Sequence, residues 1–333
     1  MSNNNRQVLL ASRPHGWVTE DNFRIVDAPM PAPDAGEVLV RNEWLSLDPY
    51  MRGRMSDAKS YVQPVQIGEV MVGQTAGEVV ASRDPAFKRG DKVLAPLGWQ
   101  LFGVAKGRDL TAIDVARAPA SYYLGVLGMP GITAWFGLHE IGRPKPGETL
   151  VVSAASGAVG SVVGQLARIA GCRAVGIAGG RAKCDYVVKE LGFDACVDHK
   201  AGNLAQDLRE ACTKGVDIDF ENVGGAVLDT VLAIMNRFSR VIVCGLISDY
   251  NVTEPYAYKR LRSVLVNRIH MQGMIVFDWK DRYGEAVAGL SKHLAQDKLK
   301  CRESIVDGLD NAPRGLIALL KGENFGKQLV RLV

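Results

Sequence analysis

The sequence predicts a mixed α/β protein in which a doubly wound parallel sheet accompanies a mostly antiparallel β domain. A change of texture along the chain, six apolar runs separated by helix-length segments, and a glycine-rich turn after the first of those runs carry this expectation. From about Arg6 to Pro119, short β-type runs such as Glu37-Val-Leu-Val-Arg-Asn and Gly90-Asp-Lys-Val-Leu-Ala are broken by Gly, Pro and Asp. That spacing reads as antiparallel strands joined by turns. From about Gly147 to Val276, apolar runs alternate with helical segments, which implies a parallel sheet covered on both faces.

Strands are expected at Thr149 to Ser153, Arg173 to Ala178, Ala195 to Asp198, Val216 to Asn222, Arg240 to Gly245 and Met271 to Val276. The closing run Gly326-Lys-Gln-Leu-Val-Arg-Leu-Val is β-like and is expected to rejoin the first domain. The division is therefore 1–125, 126–304 and a returning segment, 305–333.

A chain of 333 residues, 47% hydrophobic and 23% charged, is long enough for two cores. Its formal charge of +4 is the difference between 40 basic and 36 acidic residues, with no long block of one sign. This argues against a nucleic-acid-binding arm and for a small-molecule partner. The first residues lack a secretory core and no apolar run reaches the roughly 18 residues of a membrane span, so a soluble cytoplasmic protein is expected. Six scattered cysteines form no CxxC pair and suggest no disulfide frame.

The first parallel strand runs into Ala154-Ala-Ser-Gly157-Ala158-Val159-Gly160-Ser-Val-Val-Gly164, followed by a helical face that Gly171 ends. A strand, a glycine turn and a helix N-terminus together offer backbone N–H groups and a partial positive charge to an anion. Gly157 is expected to make the tight turn, Gly160 to admit a pyrophosphate and Gly164 to seat the helix against the sheet, which makes this a Rossmann dinucleotide fold. Ala155 stands where the first of the usual three loop glycines would be. The bland alternative is a glycine turn that binds nothing.

About 20 residues on, an acid would hold a ribose hydroxyl of NAD. Here the chain reads Ile177-Ala-Gly-Gly-Arg181-Ala-Lys183, and no Asp or Glu occurs from Thr149 to Cys184. Arg181 and Lys183 suit a 2′-phosphate, so NADPH is the expected cofactor. The alternative is that both cations merely solvate the start of the next helix.

Catalytic zinc in two-domain dehydrogenases draws soft or imidazole ligands largely from the β domain. Residues 1–171 contain no cysteine, and their histidines are His15 and His139. Neither a catalytic nor a four-cysteine structural zinc site is expected. Without a Lewis acid an activated alkene is a better hydride acceptor than a carbonyl, since hydrogen-bond donors can stabilise the resulting enolate.

The motifs Leu47-Asp-Pro-Tyr-Met-Arg52, Gly128-Met-Pro-Gly-Ile-Thr-Ala134, Ala154 to Gly160, Glu221-Asn-Val-Gly-Gly225, Cys244-Gly-Leu-Ile-Ser-Asp-Tyr-Asn251 and Asn324-Phe-Gly-Lys327 run nearly end to end. With them the chain resembles the prostaglandin reductase, leukotriene hydroxydehydrogenase and curcumin reductase branch of the medium-chain dehydrogenase/reductases. Met51-Arg-Gly-Arg-Met-Ser56 and Asp307-Gly-Leu-Asp-Asn-Ala-Pro look closest to bacterial curcumin reductases. The resemblance implies a GroES-like catalytic domain and reduction of the C=C bond of α,β-unsaturated carbonyl compounds.

It also implies Gly157, Ala158, Val159 and Gly160 on the pyrophosphate, Lys183 on the 2′-phosphate and Asn222 near the adenosine. Cys244, Gly245, Ile247, Ser248 and Tyr250 would line the nicotinamide end with Met274, Ile275, Val276 and Asn324. His199 stands where some relatives place a tyrosine beside the adenosine phosphate. A homodimer joined through the edge strand containing Met274 is implied as well.

Tyr250 is the favoured group for holding the enolate oxygen or supplying a proton; its alternative role is packing under the loop. Tyr50 is the second candidate, expected to point from the β domain into the cleft, although Asp-Pro-Tyr also makes a good turn with an aromatic anchor. A zinc-free quinone reductase and a non-catalytic NADPH-binding protein are the competing functions.

Overall fold

The structure, a computed structural model, describes residues 4–333. It divides into two units: Val126–Arg302, and the residues up to Gly125 together with Glu303–Val333.

In the unit Val126–Arg302 six parallel strands lie in the order Ala195–Asp198, Arg173–Ala178, Thr149–Ser153, Val216–Glu221, Met235–Val243 and His270–Gly273. Alternation along the strands sends Val151, Val175, Ile177 and Val241 into a core shared with helices Leu204–Ala211 and Gly225–Leu232. Burying each such side chain contributes roughly 1.5–3 kcal/mol. Helix Gly160–Ile169 buries Val162, Val163 and Leu166. A Cβ at Gly164 would lie 1.8 Å from the Phe193 ring, so glycine at 164 seats this helix as the sequence predicts.

The first three strands have the predicted limits, and the next three do not. Val216–Glu221 stops one residue early because the side chain of Asn222 turns back to donate to the Ser153 carbonyl, 2.8 Å away. Met235–Val243 starts and ends earlier than expected, since Cys244 and Gly245 both donate to the carbonyl of Glu221. The last strand is His270–Gly273, and Met274 lies just beyond it.

The other unit holds strands ordered Glu303–Asp307, Lys327–Arg331, Glu37–Ser46, Thr75–Ser82, Lys92–Ala95 and Thr111–Ala112, with Phe102–Lys106 also paired to Glu37–Ser46. All these pairs are antiparallel except the first. The C-terminal run therefore returns to this unit, with Leu329 opposite Ser46. Its Lys327 is 4% exposed and donates to the Leu47 carbonyl at 2.7 Å and to Asp48 at 2.8 Å. Removing one partner of such a buried pair costs about 3–5 kcal/mol.

Among the described residues no helix is long and apolar enough to cross a membrane. The six cysteines are free: Cys172, Cys184 and Cys212 are buried, and Cys196, Cys244 and Cys301 are half-buried.

Candidate functional site

The glycine-rich turn leaves the sheet at Ser153. Ala154 adopts φ 50°, a left-handed conformation, and its carbonyl accepts the Gly157 N–H at 2.9 Å. The sharp reversal thus falls on Ala154 and not on Gly157, at a cost of roughly 1–2 kcal/mol that the surrounding bonds offset. A Cβ at Gly160 would stand 2.4 Å from the Ala154 carbonyl oxygen, so the loop closes this tightly only with glycine there. The ten-residue helix that follows starts at Gly160; Ser161 N–H donates to the Gly157 carbonyl at 3.1 Å and Val162 and Val163 N–H to the Val159 carbonyl at 3.0 Å, so the donors offered to an anion are those of the turn at Ala158 to Gly160. An acid-free turn with these donors fits a pyrophosphate.

Beyond the second strand, Gly179-Gly180 leads into helix Arg181–Lys189. A Cβ at Gly179 would meet His199 Nε2 at 2.8 Å and Lys200 Cε at 3.0 Å, so both side chains cross this backbone. Burial and then the neighbouring Lys200 lower the pKa of Lys183 and of His199. Asp198, the nearby acid, accepts the N–H groups of Gly180 at 2.8 Å and Lys200 at 2.9 Å, and the Gly180 bond above all holds its pKa down. Arg181 is exposed at the helix start. Cations that depress one another's charge are relieved by an anion, and this cluster fits a phosphate monoester. Lys200 is a member that sequence reasoning missed; its position directly after His199 was the available signal.

At the carboxyl ends of the next two strands, the turn at Glu221–Gly225 carries the loop Cys244–Tyr250. Ile247 N–H donates to the Asn222 carbonyl at 3.2 Å and Ser248 N–H to the Val223 carbonyl at 2.9 Å. A short 3₁₀ turn, Ile247–Asp249, then delivers Tyr250. A Cβ at Gly245 would lie 3.3 Å from the Tyr250 hydroxyl and 3.4 Å from the Asn222 carbonyl oxygen. The phenol therefore rests over Gly245, beside Asn222. Burial, with a smaller contribution from Glu221, pushes the Cys244 thiol up to about 12, which makes it a neutral thiol and a poor nucleophile at pH 7.

Met274 donates its N–H to the Val243 carbonyl at 3.1 Å, and its side chain is 4% exposed. Its sulfur packs where a Cβ at Gly137 would be, so its side chain serves the core. Ile275 is half-buried and Val276 is buried.

The structure thus gathers Asn222, Cys244, Gly245, Ile247, Ser248 and Tyr250 in one place, and Lys183 with His199 in another. Tyr50 and Asn324 belong to the other unit. Tyr50 opens the short helix Tyr50–Arg54, and burial first, then the Asp48 carboxylate, raise its pKa, keeping it a neutral donor. Asn324 donates to the Gly326 carbonyl at 2.8 Å within its own turn. The buried Arg52 donates to the Gly16 carbonyl at 2.9 Å and so braces the loop around His15.

Two family descriptions match the chain: the N-terminal domain of oxidoreductase over residues 6–113, and zinc-binding dehydrogenase over residues 158–292. Among the described residues no group of three or more His, Cys, Asp or Glu is placed to hold a metal ion. The NADPH-dependent curcumin reductase of Escherichia coli strain K12 is 50% identical, over 98% of this chain and 97% of that protein. The NADP(+)-dependent 2-alkenal reductase of Nicotiana tabacum is 39% identical, over 98% and 97%. The crystal structure of CurA from Vibrio vulnificus in complex with NADPH is 50% identical, covers 98% of this chain and 99% of its own, and superposes with a TM-score of 0.95.

Proposed function

Because the chain belongs to the medium-chain dehydrogenase/reductase family, in the zinc-independent branch of the curcumin and prostaglandin reductases, we propose that it reduces the C=C bond of α,β-unsaturated ketones and aldehydes with NADPH. The observation that carries this reading is the Tyr250 hydroxyl held over Gly245, on the same sheet as an acid-free phosphate loop.

When bound, NADPH supplies a hydride to the β-carbon of the substrate. Gly157 to Gly160 would hold its pyrophosphate and Arg181, Lys183 and His199 its 2′-phosphate, with Asn222 on the adenosine side. The loop Cys244–Tyr250 and the backbone of Met274 to Val276 would flank the nicotinamide. Tyr250 would donate a hydrogen bond to the substrate carbonyl oxygen, where charge develops as the enolate forms. Tyr50 remains a candidate donor on the other unit, and Asn324 a candidate for the nicotinamide end.

The test is steady-state NADPH oxidation, with NADH and a chelator in parallel, against enones, enals, curcumin and quinones, with products identified by mass. Saturated carbonyl products, preference for NADPH and indifference to the chelator are expected. Hydroquinone as the sole product would make the protein a quinone reductase. Tight NADPH binding without turnover of any acceptor would make it a binding protein.

We further propose a homodimer through the outer strand His270–Gly273. Leu261, Leu265 and Val266 are 58%, 77% and 51% exposed beside it on and around helix Arg262–Asn267, an apolar surface that a second copy would cover. Sedimentation velocity reads the assembly directly, and a monomer at micromolar concentration would overturn this.

A further inference from the structure

We propose that Glu221 is a positioning residue for the reaction: its side chain folds the turn that holds the loop Cys244–Tyr250, and so places Tyr250. This rests on the reading that Tyr250 serves the substrate.

Glu221 ends its strand with 0% exposure, a costly place for an acid unless something uses it. One oxygen, Oε1, accepts three donors: the Ser153 hydroxyl and the Val223 N–H, each at 2.5 Å, and the Gly224 N–H at 3.0 Å. The same Ser153 hydroxyl oxygen accepts the Asn222 N–H at 2.7 Å. The chain is thereby wound around the carboxyl group, and Gly224 and Gly225 supply the left-handed φ values of 76° and 55° that the winding needs.

The wound turn presents three consecutive carbonyls to the loop. Glu221 accepts from Cys244 at 2.9 Å and from Gly245 at 3.1 Å, Asn222 accepts from Ile247, and Val223 accepts from Ser248. Side-chain contacts leave no slack: a Cβ at Gly224 would lie 2.8 Å from Leu246 Cδ2, and one at Gly225 2.8 Å from Ser248 Oγ. Four of the five residues from Cys244 to Ser248 hang by their N–H groups from a path that one carboxyl group sets.

The turn is built on Oε1 as an acceptor. The other oxygen, Oε2, is buried without a partner, as are both oxygens of Asp219. Burial raises the pKa of both acids, and the hydrogen bonds to Glu221 oppose that rise. Oε1 acts as an acceptor in either protonation state, a role that the amide oxygen of a glutamine reproduces and a leucine does not.

The experiment compares Glu221→Gln and Glu221→Leu with the parent protein by two readouts. In the cofactor-free protein, hydrogen exchange of the Cys244–Tyr250 amides should quicken at least about tenfold in the leucine variant while the strands Thr149–Ser153 and Arg173–Ala178 keep their protection. In turnover, kcat should fall about 100-fold in that variant with a smaller rise in the NADPH KM, the signature of a misplaced donor on a loop that also flanks the cofactor. Glu221→Gln should restore both readouts to within about threefold, the conservative rescue expected where the acceptor oxygen sets the turn. Leucine leaving loop exchange unchanged, glutamine failing like leucine, or exchange rising across the whole sheet would each overturn the proposal. If the leucine variant does not fold, Ser153→Ala, which removes one donor from Oε1, must still quicken exchange in the loop, and failure to do so overturns it too. Because the exchange readout needs no substrate, failure of the enone reading alone leaves it intact.

Discussion

Two regions of the nucleotide-binding sheet solve opposite problems. At the phosphate end, Arg181, His199 and Lys200 are exposed and Lys183 half-buried, and Lys200 helps to lower the pKa of Lys183 and His199. At the Tyr250 end, Glu221 and Asp219 are fully buried and pushed toward their neutral forms, and the loop hangs on backbone bonds. The first region gathers cations that suit an incoming anion. The second fixes a geometry through a buried acceptor and backbone bonds. Recognition of the 2′-phosphate and placement of the donor are thereby assigned to different residues, so each can be removed without the other.

The sharpest test of that separation is Tyr250→Phe. If the phenol donates to the developing oxyanion, kcat should drop roughly 100- to 10,000-fold while the dissociation constant of NADPH, read by fluorescence, stays within about twofold. An unchanged kcat would reduce Tyr250 to packing over Gly245, and the contrast would lose its catalytic half. A parallel loss of NADPH affinity would show that the two regions are not independent.

The phosphate end was legible in the sequence because its signals are residue types. An acid-free stretch, two cations at the right distance and a glycine at 160 state their chemistry without coordinates. Even there the turn geometry was misassigned, since nothing in Ala154-Ala-Ser-Gly157 says that the alanine takes the positive φ. The Tyr250 end was only half legible. Its motifs marked Asn222 and Tyr250, but Glu221 reads as an ordinary strand end until three donors are seen converging on one oxygen. The strand limits failed where backbone N–H groups leave the ladder for a turn, as at Cys244 and Gly245, because such bonds join segments about 20 residues apart that no local pattern links. The C-terminal strand was readable from its apolar run, whereas its buried Lys327–Asp48 pair was not.

The phosphate end gives the smaller effects, and pH divides them further. Removing both cations in Arg181→Ala/Lys183→Ala should weaken NADPH binding roughly 100-fold, leave NADH binding nearly unchanged and flatten the salt dependence, since each charge-assisted bond contributes about 1.5–3 kcal/mol before screening. His199 should contribute less, and only through its protonation. Burial, then Lys200, hold its pKa below the ordinary value in the free protein, so it is largely neutral at pH 7. A bound 2′-phosphate favours the imidazolium and raises that pKa, so binding takes up a proton and affinity must increase as pH falls through the interval between the two values. Titrating NADPH affinity from pH 8 to pH 5.5 should therefore show tighter binding toward acid in the parent, beyond the change in the phosphate's own ionisation. In His199→Gln that excess should vanish, with affinity at pH 8 within about twofold of the parent. If parent and variant have the same slope, His199 does not touch the phosphate, and the charged region reduces to its lysines and Arg181.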